Sequence, residues 1–255
     1  MGEAIVAGLL AAGSVGRDRI AVADVSEQRR AAFDRYGVQI VGESLEIVGD
    51  AEIVLLAVKP QVVDAVLAHV ADEIASGSIV VSIAAGVPTV RLEALVPAGV
   101  AVVRVMPNTP AMVGEGMAVV SGGSAASPDQ VERVRSLFEA VGESLVLDER
   151  YQDVATAISG SGPAYAALFV DALARAGVRH GLPRDVAQAL ALQTLKGTAE
   201  LLTTSGMHPE ELIDAVSSPG GTTIAAVEAL EAAGLRSAVF EAVSAAVRRA
   251  RELGS

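Results

Sequence analysis

Three short runs decide the fold: Ile53-Val54-Leu55-Leu56-Ala57-Val58, Ile79-Val80-Val81-Ser82-Ile83 and Ala101-Val102-Val103-Arg104-Val105. Their apolar residues are nearly continuous and do not alternate with polar ones, which is typical of strands buried on both faces of a parallel sheet. Segments of helical character separate the runs, at 62–75 and 90–95. This repeated strand-helix-strand order predicts a doubly wound α/β sheet.

The same order continues outward from these runs. Upstream, we predict a further strand at 20–24, whose continuous apolar run also indicates burial on both faces, and a helix at 26–36. Downstream, strands are predicted at 117–121 and 145–147, and Ser127-Pro128 between them would supply the N-cap and first position of a helix. The predicted sheet domain therefore covers residues 1–150.

The chain changes character near Tyr151, after which no β-rich run occurs. Several later segments are apolar around most of a helical circumference, and such helices need cover on every side. A second subunit would provide that cover, so we expect a homo-oligomer; a tightly packed monomeric bundle is the alternative. An all-helical domain is predicted over 151–255, with helices at 163–180, 184–204, 210–217, 222–233 and 236–253.

The composition excludes several classes of protein. Of 255 residues 51% are hydrophobic, and a formal net charge of −12 with only Lys59 and Lys196 argues against nucleic-acid and membrane partners. Cysteine is absent and the three histidines are far apart, so we expect neither disulfides nor a metal centre. The longest charge-free stretch, 154–170, is broken by two glycines and a proline and is too interrupted to span a membrane. These features predict a cytoplasmic protein.

A helix is predicted directly from Gly2 to Gly13. In a dinucleotide-binding fold a strand and the motif G-x-G-x-x-G precede the first helix, whose amino end receives the pyrophosphate. Gly2 fits the third glycine of that motif, so we expect that the first strand and the first two glycines are missing. That strand is central in the usual order, and its neighbours would be left with unpaired backbone groups.

Residues 211–231 read Glu-Leu-Ile-Asp-Ala-Val-Ser-Ser-Pro-Gly-Gly-Thr-Thr-Ile-Ala-Ala-Val-Glu-Ala-Leu-Glu and closely resemble the signature of the pyrroline-5-carboxylate reductases. The resemblance extends over essentially the whole chain. Three further motifs of that family occur in the same order: Leu56-Ala57-Val58-Lys59-Pro60, Arg104-Val105-Met106-Pro107-Asn108-Thr109-Pro110 and Ile158-Ser159-Gly160-Ser161-Gly162-Pro163-Ala164-Tyr165.

This resemblance implies a Rossmann domain followed by an all-helical dimerisation domain, in dimers that often assemble further. It also implies reduction of L-1-pyrroline-5-carboxylate to L-proline with NADPH or NADH, which is the last step of proline biosynthesis. The implied enzyme is an oxidoreductase that acts on a cyclic imine.

The segment 218–223 is the candidate substrate site. Its two glycines let the backbone approach a ligand closely, and the first N–H groups of the following helix have no intrahelical partner. These amides favour an anion, although the segment could also be a plain turn and helix cap. The resemblance implies the substrate-binding residues Ser218, Gly220, Gly221, Thr222 and Thr223. In that scheme Ser218 and the amides of Gly221 and Thr222 hold the carboxylate, and Thr223 is catalytic through a hydrogen bond to the ring nitrogen.

The absence of a candidate general base supports reduction of a cyclic imine. Alcohol oxidation by hydride transfer needs a general base, often Lys or His, and the helix predicted from residue 163 has neither before Gly177. A cyclic imine is attacked directly by hydride, so that the enzyme mainly orients two rings and stabilises charge. The sequence therefore favours imine reduction.

Asp24 ends the predicted strand at 20–24, where an acidic residue commonly binds the adenosine ribose. Its charge would repel a 2′-phosphate, whereas Arg29 and Arg30 could pair with one or else form a solvated helix face. Ser44 is a further predicted cofactor residue, standing where asparagine is common in the family. The cofactor is NADPH or NADH, and the family precedent favours NADPH.

The other predicted cofactor residues follow strand ends, because ligands bind at the carboxyl edge of open α/β sheets. Val58 and Lys59 are expected to present backbone to the ribose or nicotinamide, and Pro60 either contacts the cofactor or only ends the strand. Ala85 would let the nicotinamide approach closely. Asn108 would hold the carboxamide or the substrate.

Two other functions stay open. One is a related imine or β-hydroxyacid reductase on the same scaffold, against which the 218–223 segment and the missing lysine argue. The other is a non-catalytic dimerisation or regulatory product of a truncated reductase, because the pyrophosphate loop is incomplete.

Overall fold

The computed structural model describes residues 1–254, with side chains up to Glu252. The chain divides into two compact units. One contains Met1–Ser161 together with the C-terminal residues from Ala246 onward, and the other is Gly162–Ala245. In the described part of the chain, no helix combines the length and apolar character needed to cross a membrane.

The first unit is built on a five-stranded sheet with the order β3-β4-β5-β6-β7. Neighbouring strands are parallel except β5 and β6, which are antiparallel. Every residue of β4 is buried, as the continuous apolar run predicts. The strands are β3 Ile53–Leu56, β4 Ile79–Ser82, β5 Ala101–Met106, β6 Gly116–Gly122 and β7 Gly142–Val146.

A separate parallel sheet contains only β1, Ala21–Ala23, and β2, Gln39–Val41. The sequence did not predict β2, because three residues after a glycine-containing turn give too short an apolar pattern. Burial of β1 and β3 on both faces was also predicted wrongly: β1 has no buried residue, and β3 buries only Leu56. The physical reason is that β3 is an edge strand and that β1 has one partner.

The first helix, α1 (Gly2–Ala11), joins the cores of the two sheets. Its Ile5 packs in the cluster under the five-stranded sheet, whereas Val6 packs with Phe33 and Val38 beside the smaller sheet. The other helices of this part are α2 Glu27–Ala31, α3 Leu45–Val48, α4 Val63–Val70, α5 Thr89–Glu93, α6 Pro128–Phe138 and α7 Gln152–Ala155.

The start of α6 confirms its sequence prediction. The hydroxyl of Ser127 accepts a hydrogen bond from the backbone N–H of Gln130, and the Gln130 side chain accepts one from the N–H of Ser127. Pro128 occupies the first turn, where its missing N–H costs nothing.

The second unit is helical, as predicted, and no described strand lies in it. Helices α8 and α9 pack through small side chains, with Ala174, Ala187 and Ala191 buried between them. A Cβ at Gly177 would lie 3.0 Å from that of Ala187, so glycine permits this close approach. The helices are α8 Gly162–Arg179, α9 Arg184–Ser205, α10 Pro209–Val216, α11 Thr222–Ala232 and α12 Leu235–Gly254, the last continuing beyond the unit.

A π-helix, Thr156–Gly160, directly precedes α8. Ser161, the residue between the π-helix and α8, has helical dihedral angles (φ −86°, ψ −22°) instead of the extended ones of a helix N-cap. Its N–H donates to the carbonyl of Thr156, 2.9 Å away. The chain therefore runs from π-helix into α8 without the break that an N-cap would need.

Candidate functional site

The parallel strands β3, β4 and β5 bring several predicted cofactor residues to one edge. Because these strands point the same way, the segments after them, 57–60, 83–88 and 107–110, all leave from the carboxyl edge of the sheet. The first holds Val58, Lys59 and Pro60, of which the Lys59 side chain is exposed. The second holds Ala85, half-buried before Gly86, whose φ of 76° favours glycine.

Gly2 lies at the same edge. A Cβ at Gly2 would lie 3.1 Å from the Cβ of Ala57, closer than ordinary van der Waals contact. Glycine therefore lets the amino end of α1 approach the chain just after β3. This close approach suits the third glycine of a dinucleotide motif, and the unpaired N–H groups of the first turn of α1 suit a phosphate.

The side chain of Asn108 is held by two segments of the first unit. Its Nδ2 donates to the carbonyl of Ser159 over 3.0 Å, and its Oδ1 accepts from the backbone N–H of Met117 over 2.9 Å. The second N–H of the Asn108 side-chain amide is used in neither of these two hydrogen bonds. Asn108 thus links the carboxyl edge to the π-helix and keeps one donor for a ligand.

Asp24 and Arg30 meet at the carboxyl end of β1. The carboxylate of Asp24 accepts from the N–H of Ser26 over 2.8 Å, while the guanidinium of Arg30 donates to the backbone carbonyl of Asp24 over 2.7 Å. A Cβ at Gly42 would lie 3.9 Å from Nη1 of Arg30, so this guanidinium also lies beside the end of β2. Ser44, two residues on, is half-buried at the start of α3, and its hydroxyl makes no cap hydrogen bond.

In the second unit, the candidate substrate segment forms a tight turn ahead of α11. The N–H of Gly221 donates to the carbonyl of Ser218 over 3.0 Å, and Gly220 has a φ of 68°. Proline followed by a left-handed glycine is the signature of a type II turn. A side chain at Gly221 would collide with the hydroxyl of Ser218, so glycine is needed there for that hydroxyl to lie against the start of α11.

Several hydroxyl groups at this turn have no hydrogen-bond partner among the described residues. No side chain caps α11, which begins after the extended residue Gly221. Across the part of the chain that the structure describes, the hydroxyls of Ser218, Thr222 and Thr223 make no hydrogen bond. The neighbouring Ser217 Oγ is buried and also unpaired, and sequence reasoning missed it. The turn therefore offers hydroxyl and amide groups to an anion.

Sequence reasoning also missed a polar cluster around the buried Arg104 in the first unit. It consists of Thr89, Arg104, Glu149 and Asp153. The signal that could have revealed it is the single arginine inside an otherwise apolar strand, β5.

The fold and its carboxyl edge define a dinucleotide-binding α/β protein with an appended helical unit. A profile described as "Pyrroline-5-carboxylate reductase dimerisation" matches residues 149–253, and one described as "NADP oxidoreductase coenzyme F420-dependent" matches residues 1–86. A pyrroline-5-carboxylate reductase of Synechocystis sp. is 46% identical over 255 residues, covering 100% of this chain and 95% of that protein. The chain belongs to the pyrroline-5-carboxylate reductase family, whose members are nicotinamide-dependent oxidoreductases.

Solved structures of pyrroline-5-carboxylate reductases have the same fold as this chain. A pyrroline-5-carboxylate reductase from Coxiella burnetii superposes with a TM-score of 0.94 at 33% identity, covering 100% of this chain and 95% of that one. The pyrroline carboxylate reductase of Plasmodium falciparum, solved with NADP bound, gives 0.89 at 31% identity with the same coverage. A prephenate dehydrogenase from Aquifex aeolicus shares the fold at 14% identity and a TM-score of 0.54.

Proposed function

We propose that this chain reduces L-1-pyrroline-5-carboxylate to L-proline with a nicotinamide coenzyme, the last step of proline biosynthesis. The observation that carries the proposal is the turn at 218–223, with its unpaired hydroxyls and the uncapped amino end of α11. An anionic substrate of small size suits this group of donors. The curated relatives of 40–46% identity bear the same enzymatic name.

The residues of the turn bind and orient the substrate in this proposal. Ser218 and the backbone amide of Thr222 hold the carboxylate. The N–H of Gly221, which the sequence also predicts to bind it, donates to the carbonyl of Ser218 and closes the turn, to which Gly220 gives its shape. Thr223 hydrogen-bonds the ring nitrogen, and its hydroxyl stabilises that nitrogen as the C=N bond becomes C–N. A bound coenzyme supplies the hydride to the imine carbon. The protonated imine nitrogen keeps its proton and becomes the secondary amine of proline, so no general base is required.

The coenzyme would be held along the carboxyl edge of the first unit. The amino end of α1 at Gly2 would face the pyrophosphate, while Val58, Lys59 and Pro60 would line the path towards the nicotinamide. Ala85 and Asn108 would border the nicotinamide end, and Asp24 and Ser44 the adenosine end. The division into a cofactor domain, 1–150, and a substrate and dimerisation domain, 151–255, is part of this proposal.

We further propose that NADPH is preferred over NADH. Arg30 is held at the end of β1 by one hydrogen bond to the carbonyl of Asp24, which leaves its other N–H groups for a 2′-phosphate. The carboxylate of Asp24 already accepts from Ser26. Arg29 is exposed one position earlier and adds positive charge.

The second unit is proposed to form a homodimer, which can assemble further. Its helices leave large apolar side chains exposed, among them Leu168 and Phe240, which are 70% and 71% exposed. Large apolar side chains left exposed in such number are typical of a protein interface. The matched dimerisation profile covers these helices.

The deciding experiment is pyrroline-5-carboxylate-dependent oxidation of NADPH and of NADH, followed optically with this chain. Turnover with formation of proline would support the proposal and rank the coenzymes. Coenzyme binding without turnover would favour a non-catalytic product, and turnover only with a β-hydroxyacid would favour the related reductase. Either of these results would overturn the proposed function.

A further inference from the structure

Arg104 is a charged residue in the buried interior of the first unit. Its side chain is 6% exposed, and it lies on β5 in register with Ser82 of β4 and Ser121 of β6, both buried. A buried guanidinium is stable only with anionic or hydrogen-bonding partners. Arg104 has two: Glu149, whose Oε1 lies 3.1 Å from Nη1, and Asp153, whose Oδ1 lies 3.9 Å from Nη2.

Glu149 also binds the start of α5. Its Oε1 accepts the backbone N–H of Thr89 over 2.8 Å, and its Oε2 accepts the Thr89 hydroxyl. Thr89 is itself buried and directly follows the loop 83–88, which leaves the carboxyl end of β4. One carboxylate thus holds both β5 and the end of this loop.

The loop is also attached to the rest of the unit by Ala84 and Val87, whose buried side chains pack in a hydrophobic core cluster with Val80 and Leu92. Within the loop, the N–H of Ala84 donates to Ser82 Oγ over 3.3 Å, and the N–H of Ile83 donates to the carbonyl of Leu56. Ala85 and Gly86 make no hydrogen bond to any described residue. The position of these two residues therefore depends on the attachments that flank them, which are Ile83 and Ala84 on one side and the buried Val87 followed by Thr89 on the other.

We infer that Glu149 is a positioning residue for hydride transfer: through Thr89, and braced by Arg104, it fixes the loop against which the nicotinamide ring is placed. The inference rests on the proposed function, because it takes Ala85 as the nicotinamide contact. Glu149 itself lies beyond the loop in sequence and acts through Thr89, not on the substrate.

Two variants test the inference, and they are expected to differ in how much they destabilise the fold. Glu149→Gln removes one of the two carboxylates that face the buried Arg104 and leaves only the more distant Asp153, so this variant is expected to be destabilised. Thr89→Val keeps the ion pair and the shape, and removes only the hydroxyl that Glu149 accepts. Arg91→Gln is the matched control, because it breaks an exposed pair of the same helix, in which Arg91 lies 2.7 Å from Asp64.

The readouts separate positioning from stability. Binding of NADPH is compared with binding of 2′,5′-ADP, which lacks nicotinamide, and the isotope effect on kcat is measured with NADPH deuterated at the transferred position. We expect Thr89→Val to weaken NADPH binding severalfold and to lower kcat about tenfold, as small misplacements of reacting groups do. In the same Thr89→Val variant, the affinity for 2′,5′-ADP should stay unchanged and the isotope effect on kcat should rise. The control variant Arg91→Gln should match the unaltered chain in all of these measurements.

Equal weakening of NADPH and 2′,5′-ADP, or no change in either, would overturn the inference. If Glu149→Gln does not fold, the measurements on Thr89→Val alone test the inference. A wild-type chain that binds NADPH without reducing the imine would refute the proposed function, and the two binding constants would still test the loop. A wild-type chain that binds no nicotinamide coenzyme would refute both.

Discussion

Nδ2 of Asn108 lies 3.0 Å from the carbonyl oxygen of Ser159, although the two residues are 51 positions apart. Together with the bond from the N–H of Met117 to Oδ1 of Asn108, this contact ties the end of β5 to the π-helix before α8. π-Helices are rare and often occur at functional sites. The amide of Asn108 is therefore a structural tie as well as a predicted cofactor residue.

Asn108→Asp should destabilise the chain more than Asn108→Ala at neutral pH. The aspartate would place a carboxylate oxygen opposite the carbonyl of Ser159, whereas alanine removes both hydrogen bonds, at a cost of about 1–3 kcal/mol. Thermal unfolding of both variants measures the difference. The gap should narrow in acid, where the aspartate is protonated and can donate again; equal stability of the two variants would contradict this assignment.

Thr223→Ala should lower turnover by about 100-fold or less, the scale of one lost hydrogen bond in the transition state. The Michaelis constant for the imine should change less, because the turn still binds the carboxylate. Thr223→Ser keeps the hydroxyl and should restore most of the activity. Steady-state kinetics with both variants decide the matter, and unchanged turnover in Thr223→Ala would remove this hydroxyl from the mechanism.

Arg30→Gln should reduce kcat/KM with NADPH about tenfold while leaving kcat/KM with NADH nearly unchanged, since a charge-assisted bond to the 2′-phosphate is lost. Arg29→Gln is the comparison variant and should have a smaller effect, because the Arg29 side chain is exposed and makes no hydrogen bond to any described residue at the end of β1. If Arg29→Gln reduced kcat/KM with NADPH more than Arg30→Gln does, Arg29 and not Arg30 would be the residue that binds the 2′-phosphate. Equal losses with both coenzymes would show that Arg30 acts only on the fold.

Leu168→Ser and Phe240→Ser should shift the second unit's assembly towards monomer. Each replaces a large exposed apolar side chain of α8 or α12 by a small polar one. Light scattering over a concentration series measures the mass. Val90→Ser is the control, because Val90 is 68% exposed on α5 of the first unit and should leave the mass unaltered. An unchanged assembly in both variants would exclude these two side chains from the interface.

Acid should weaken the link between β3 and α6 at Glu52. Arg133, chiefly by hydrogen bonding, and also Arg19 hold the pKa of Glu52 below its ordinary value. Because the folded-state pKa is depressed, the stabilisation is present above the unfolded-state pKa and is lost as the pH falls through the folded-state value. Glu52→Gln should therefore lower the midpoint of thermal unfolding slightly at neutral pH and make no difference in strong acid. A constant difference at every pH would rule out ionisation of Glu52 as its cause.

Local sequence predicted most of the elements. The buried strands β4 and β5 follow from continuous apolar runs, and helices α8 to α12 from segments that are apolar around most of a helical circumference. Ser127 is the N-cap of α6, as expected. The turn at 218–223 could also be predicted from local sequence, because Pro219 and Gly220 favour one turn type by themselves. In all these cases the deciding interactions join residues close in the chain.

Tertiary structure decided the rest, because the interactions concerned join residues far apart in sequence. The pairing of β2 with β1, the antiparallel course of β6 and the half-exposure of β3 depend on which strands become neighbours. Thr89 meets Glu149 across 60 positions, and Arg104 meets the same carboxylate across 45. The sequence thus determined the elements and the family, whereas the folded chain alone determined how buried charges and Asn108 support the loops at the carboxyl edge.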